Sequence, residues 1–472
     1  KTTLISSNCF TDNANLISVN LPEGIEIIKE SFRNCTSLKS IVIPKSVEEI
    51  YAGCFSGCTG LASIDIKGSL ESIGDRFFWG CTSLTLIKLP ASLITFGEEA
   101  FQDCVSLKSI DIPRSVENIG SRCFSGCTNL VSVLLPYSLK TLQERTFENC
   151  TSLKLIDIPS RVETIGDRCF QNTSVKIVSL HEGLKAIGNA AFIGIPIISA
   201  VIPKSVETIG TECFLDCTKL TEVWLSDGLT TLSYRAFRNC GSLKSIDIPS
   251  SVESIGDECF QNCLLGVVSF QGAELKTIGS NAFGDCAMKE FEMPHSVETI
   301  GAGCFSRCVN LELIRLSDGL KTLPEDAFLG CTSLSSIDVP QFIVTIERSC
   351  FYNCSHLESV ILHEGLQTIG SMAFTNCSAV VSLFIPNSVK NIKSEAFSNC
   401  TGIEDIYLEH AGPDLLAVEN KAFANVPSDC IVHVPDEAVN NYNVTWQGFL
   451  VEKSDNIVID NVVYKVNYKV FN

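Results

Sequence analysis

Residues 104–124 read CVSLKSIDIPRSVENIGSRCF. Leu107, Ile110 and Ile112 end on a period of two, the mark of a strand whose alternate side chains enter a core, while Lys108, Ser109 and Asp111 face outward. Pro113 then stops the strand, since it has no N–H to offer a ladder. Val116 and Ile119 turn back inward, and Gly120 permits a tight turn. Phe124 and Cys127, spaced i and i+3, predict a single helical or 3₁₀ turn packed on the same core.

The unit repeats along almost the whole chain. Its anchor recurs at Phe10, Phe32, Phe55, Phe78, Phe101, Phe124, Phe147, Phe170, Phe192, Phe214, Phe237, Phe260, Phe283, Phe305, Phe328, Phe351, Phe374, Phe397 and Phe423, in steps of 22 or 23 residues until a last step of 26. Of the 16 prolines, 11 fall in the Pro113 column. One such coil cannot bury its own apolar edges, but stacked coils bury each other's, which makes a solenoid with a parallel sheet along one face. Units with Cys before the Phe (Cys54, Cys123, Cys213, Cys259, Cys304) tend to interleave with units carrying Ala there (Ala191, Ala236, Ala327, Ala373), which reads as growth by duplication of pairs.

With its A/C-F-x-x-C end, the 23-residue unit resembles the BspA-type leucine-rich repeat of surface proteins from anaerobic bacteria and some parasitic protists. Cys430 to Lys453, CIVHVPDEAVNNYNVTWQGFLVEK, resembles the end cap of such proteins. The fold expected is an α/β repeat: a right-handed leucine-rich-repeat solenoid with a parallel β-sheet on one face, short helical or 3₁₀ turns and a C-terminal cap. Crossovers between parallel strands favour that hand. Residues 1–429 form the solenoid, 430–453 the cap, and 454–472 a terminal strand pair or the start of a following domain. The resemblance implies adhesion, matrix or host binding, or coaggregation.

Charge and motifs narrow the function. With 54 acidic against 35 basic residues the chain carries −19, which repels nucleic acid and anionic lipid. No apolar run reaches the ~18 residues of a membrane span. The chain opens KTTLISSNCF, without an initiator Met or a signal-peptide pattern, so the targeting signal is expected outside this stretch. No H-E-x-x-H, G-x-S-x-G, phosphate loop or G-x-G-x-x-G occurs, and His181 and His363 recur in L-H-E-G-L as turn residues. Neither catalysis nor a cofactor is expected.

Of 24 Cys, 15 sit three residues after an anchor Phe, eight sit just before one, and Cys430 stands apart. Both columns face inward and are replaced in places by Asn13, Thr173, Ile195 or Val426, so they read first as buried free thiols, with scattered disulfides and a metal site as the alternatives. The outward Asp65, Asp111, Asp157, Asp247 and Asp338 lie too far apart to cage calcium. Sequons at Asn34, Asn149, Asn172, Asn353, Asn376, Asn399 and Asn443 suit glycans in a eukaryote, but six arise from the repeat itself.

A partner is expected on the outward strand face. Asp65-Lys88-Asp111 and Glu292-Arg315-Asp338 set a cation between acids on neighbouring strands. Ile361, Phe384 and Tyr407 place three large apolar groups on consecutive coils, as a binding patch or as a surface covered by the C-terminal tail. Trp224 beside Val201 is a smaller second site, with Glu222 and Asp247 near enough to suggest a sugar. The function expected is a non-enzymatic secreted or cell-surface adhesion protein that binds extracellular-matrix, host or other-cell surface proteins through Arg315, Ile361, Phe384, Tyr407 and Trp224. The alternative is a carbohydrate-binding surface protein.

Overall fold

A computed structural model of the chain describes residues 3–272, 274–435, 438–441 and 445–453. The chain divides into two compact units, Lys1–Met288 and Lys289–Asn472. Each is a parallel β-solenoid, and together they contain about 19 turns.

Each full turn of the first unit lays down two short strands. Ser109–Asp111 is followed by Asn118–Ile119, and Leu155–Asp157 by Thr164–Ile165. The first strands stack parallel and in register, Val133 lying opposite Ile110 on one side and Ile156 on the other. Their burial alternates as the period of two requires, with Ile110 buried between exposed Ser109 and Asp111. The second strands build a parallel ladder of their own, such as Thr141–Leu142 with Thr164–Ile165. Here Val116 and Ile119 are buried as expected, but the inward dip is itself a paired strand.

The third side of each turn carries the anchor Phe, and here the expected α/β character gives way. Cys127 N–H donates to Phe124 C=O at 3.1 Å and Ser125 N–H to Arg122 C=O at 3.1 Å, the i→i+3 pattern of a 3₁₀ turn. Yet Arg122 has φ 55° and Gly126 φ 75°, and a right-handed helix does not run through left-handed residues. The result is linked β-turns. Among the described residues helix is confined to two 3₁₀ segments, Pro413–Leu415 and Val439–Asn441. Neighbouring turns are also bonded along this side, Phe124 N–H to Thr146 C=O at 3.0 Å and Gly126 N–H to Glu148 C=O at 2.8 Å.

Anchor rings stack through the core, Phe124 on Phe147 with centroids 5.6 Å apart and planes 3° from parallel. Phe10, in the first turn, is the exception: it is only half-buried, lacking the second neighbour that covers the others. Gly120 is needed for a reason other than a turn. A Cβ there would stand 2.5 Å from Gly97 C and 2.6 Å from Glu98 N, so close approach of the preceding turn's backbone excludes any side chain.

All 24 cysteines are free thiols, and Cys9 is the one that is exposed. No helix is long and apolar enough to cross a membrane among the described residues, nor does any group of three or more His, Cys, Asp or Glu stand where it could hold a metal ion.

The second unit repeats the pattern. Ser336–Asp338 pairs with Ser359–Ile361, and Ser382–Ile385 with Asp405–Leu408. Ile431–Val434 continues that ladder, Phe449–Lys453 adds one more parallel strand, and Thr445–Trp446 returns antiparallel to it. The strand pair or following domain expected at 454–472 falls outside the described residues.

Candidate interaction surface

Because strand side chains alternate, every second residue of the stacked first strands enters one outward sheet. In the second unit the aromatic members of that column come together. Phe384 lies in register with Tyr407, and Tyr407 with His433. Phe384 and Tyr407 stack at 4.4 Å and 6°, Tyr407 and His433 at 4.5 Å and 13°. Each aromatic pair of this kind contributes roughly 0.5–1.5 kcal/mol beyond the area it buries.

All three residues are half-buried. His433 is fixed by a 2.7 Å contact from Nε2 to Asp405 Oδ1. Burial, and after it the Asp405 carboxylate, pushes the Tyr407 phenol up, so the ring remains neutral across physiological pH. His433 is the residue that sequence reasoning missed here: the strand Ile431–Val434 lengthens the aromatic column.

The rest of the column is charged. Glu292 lies in register with Arg315, 3.8 Å from carboxylate to guanidinium, with both side chains mostly exposed. Asp338 lies in register with Ile361. Its carboxylate is met by His363 Nε2 at 2.7 Å, and this hydrogen bond raises the imidazole pKa against the opposing effect of burial. The expected Glu292-Arg315-Asp338 triplet is therefore two pairs. His363, read as a turn residue, does open a turn, closed by Leu366 N–H to its carbonyl at 3.4 Å, and from there its ring reaches Asp338 on the face. Arg315, Asp318, Asp338, Gln341 and His363 border an open cleft of about 490 Å³. Ile361 is half-buried, on the strand that follows Asp338.

In the first unit Trp224 is 50% exposed and lies in register with Val201. Glu222 shares its strand and face, one inward residue away. Reading only one outward column concealed a wider apolar area on this unit: Leu134, Leu155 and Ile177 are 72%, 68% and 60% exposed. Leu155 and Ile177 stand at the other outward position of their coils, and that alternation was the available signal. Lys88 and Asp65 do pair, at 3.9 Å.

A family model described as BspA type leucine rich repeat region matches residues 3–131, 94–198, 140–266 and 276–404. No curated protein matches. Among solved structures, a leucine-rich repeat protein from Bacteroides ovatus is 26% identical, with a TM-score of 0.60 over 77% of this chain and 88% of that one. A leucine rich cell surface protein from Faecalibacterium prausnitzii is 27% identical over 72% of this chain and 83% of that one, with a TM-score of 0.41. A leucine-rich repeat protein from Eubacterium ventriosum is 22% identical over 72% and 82%, also with a TM-score of 0.41.

Proposed function

The chain belongs to the BspA-type leucine-rich-repeat family, and from that premise we propose that it is a non-enzymatic adhesion module, secreted or held at a cell surface, that captures a protein through the outward strand face of its second unit. The observation that carries the reading is the Phe384–Tyr407–His433 stack, three half-exposed rings held face to face beside the charged strip of Arg315, Asp338 and His363. Rigid aromatic groups ringed by charge have the composition of an energetic centre in a protein interface. They lose little rotamer freedom on binding, because the stack and the Asp405 contact already hold them. In this reading the coils are right-handed, the strand sheet is the working face, and residues 430–453 close the end of the unit. Extracellular-matrix and host or other-cell surface proteins are the partners expected.

The test is a panel of purified matrix proteins and cell-surface glycoproteins, immobilised and probed with wild type and Phe384→Ala. Saturable capture by at least one member, weakened about thirtyfold or more in the variant, supports the reading. Capture that Phe384→Ala leaves intact removes this face from it.

A further inference from the structure

We propose that the first unit carries a separate binding site for a neutral saccharide, in a cleft on the anchor-Phe side of its early turns. The cleft has a volume of about 730 Å³, within the ~300–1,000 Å³ of ordinary ligand clefts. It exists because of two small residues. The position two before each anchor Phe holds Arg76, Glu99, Arg122 and Arg145 in successive turns, and the one before that holds Asp75 and Glu98. In the turn of Phe55 these positions are Gly53 and Ala52, and a depression opens beside the charged side chains of the turns that follow.

The walls suit one chemistry. Trp79, 40% exposed, lines one side. Arg76 is held to Glu99 by a 2.6 Å contact from Nε to Oε2, and Asp75 Oδ1 accepts the Glu98 N–H at 2.8 Å. Among the described residues no ion pair takes up Glu30, Arg33 or Glu98, which also line the cleft. Carboxylates accept hydrogen bonds and guanidinium groups donate them. A ligand that satisfies both must be donor and acceptor at once, and one that covers an indole must also present an apolar face. A pyranose does all three, with hydroxyls around its rim and C–H bonds on its faces. A cationic peptide side chain would also seek Trp79, but it would enter a cleft that Arg33 and Arg76 line as well. An anion meets four carboxylates.

This site is on the first unit, and it stands or falls apart from the strand-face reading. The decisive variant is Gly53→Arg. A Cβ at Gly53 meets nothing within 4 Å, and its φ of 65° resembles the 51°, 55° and 54° at which Arg76, Arg122 and Arg145 sit in the same column. The substitution therefore fills the cleft with the side chain the repeat already uses. Trp79→Ala removes the platform.

The probes are maltotetraose, cellotetraose and mannotetraose at millimolar concentration, with tetralysine as the cationic rival, each titrated by calorimetry into the full chain. The result expected is binding of at least one tetrasaccharide, weakened about tenfold or more by either variant while the circular dichroism stays that of the folded wild type and Gly53→Arg melts only slightly lower, as a side chain at positive φ requires. Absence of heat with all three sugars overturns the proposal. So does sugar binding that Gly53→Arg leaves unchanged, and so does a cleft that takes tetralysine alone and loses it in Gly53→Arg.

Discussion

The Cys127 thiol donates to the carbonyl oxygen of Phe101, one turn earlier in the coil, across 3.1 Å. That oxygen already accepts the Cys104 N–H at 3.2 Å within its own turn. A carbonyl has two lone pairs, and the next turn's thiol takes the second. The same bond recurs from Cys104 to Phe78 and from Cys354 to Phe328, each at 3.2 Å. Cysteine suits this column because it is small and apolar enough to be buried at the turn, yet still a weak donor. Asn13, Thr173, Ile195 and Val426 stand in the same column, so no single thiol is obligatory.

These thiols make stability fall in alkali. Burial, the leading cause, pushes Cys54, Cys58, Cys217 and Cys400 up from their ordinary 9.0 to about 12. A group whose pKa is raised by folding contributes stability that is complete below its unfolded pKa. Above 9 the unfolded chain binds fewer protons than the native one, and the contribution disappears as pH rises toward 12. The melting temperature should therefore drop steeply from about pH 9, less so in a variant carrying Ala at those four positions. Alkylation of the native protein near pH 7.5 should label Cys9 first and the buried thiols only on unfolding. Rapid labelling of most cysteines without denaturant would contradict this account.

The column two residues after the anchor Phe yields a second prediction. Asn376, Asn399 and Asn425 have φ of 64°, 61° and 63°. Asn399 Nδ2 donates to Asn376 Oδ1 at 2.9 Å, and Asn425 Nδ2 to Asn399 Oδ1 at 2.7 Å. Asn399→Gly removes the amide bonds and keeps the left-handed backbone, whereas Asn399→Ala loses both. In denaturant titration Ala should be less stable than Gly by about 1 kcal/mol. Equal stabilities would mean that the backbone imposes no demand there. The sequons at Asn376 and Asn399 follow from this demand together with the Cys column, and the folded ladder engages Asn376 through its oxygen and Asn399 through both amide atoms.

What the sequence displayed, and what it hid, follows from these columns. The Phe ladder and the alternation of Leu107, Ile110 and Ile112 fix the coil and its first strand, because burial of both repeats every turn. The helical turn was misread because Phe124 and Cys127 at i, i+3 face one way in a helix and in linked turns alike. Gly126 and its Asn equivalents signalled left-handed backbone, but Arg122 did not, since nothing in an Arg announces positive φ. Asn118–Ile119 reads as a dip because two residues show no periodicity. At the face, Phe384 and Tyr407 were legible from their spacing. His433 was not, because the step from Phe397 to Phe423 breaks the 23-residue count.

His363 should titrate above an ordinary histidine. Its hydrogen bond to Asp338, the leading cause, raises its pKa, and partial burial opposes the rise. A raised histidine stabilises fully below its unfolded value of about 6.5 and loses that contribution as pH climbs through the folded value. Asp338→Asn should bring the imidazole midpoint down, as read by two-dimensional NMR of the histidine ring protons. The pair is well exposed, with side-chain exposures of 43% and 67%, so melting should change little. An unchanged midpoint in the variant would show that the contact does not persist in solution.

Phe384→Ala separates a binding face from a structural one. The ring is half-buried and stacked on Tyr407 at 4.4 Å, unlike an anchor such as Phe374, which is fully buried. Deleting a fully buried Phe costs about 3–5 kcal/mol. The stack supplies roughly 0.5–1.5 kcal/mol, and half the side chain's transfer energy adds about another 1. Phe384→Ala should therefore destabilise by about 1.5–2.5 kcal/mol, less than Phe374→Ala in the same denaturant series. If the face binds a protein, loss of its central ring should reduce affinity by about thirtyfold or more. The single variant thus has two readouts, which part company between the alternatives. A stability loss equal to that of Phe374→Ala would mean that the ring is covered in solution, whereas a small loss with undiminished capture would leave Phe384 exposed and without a role in binding.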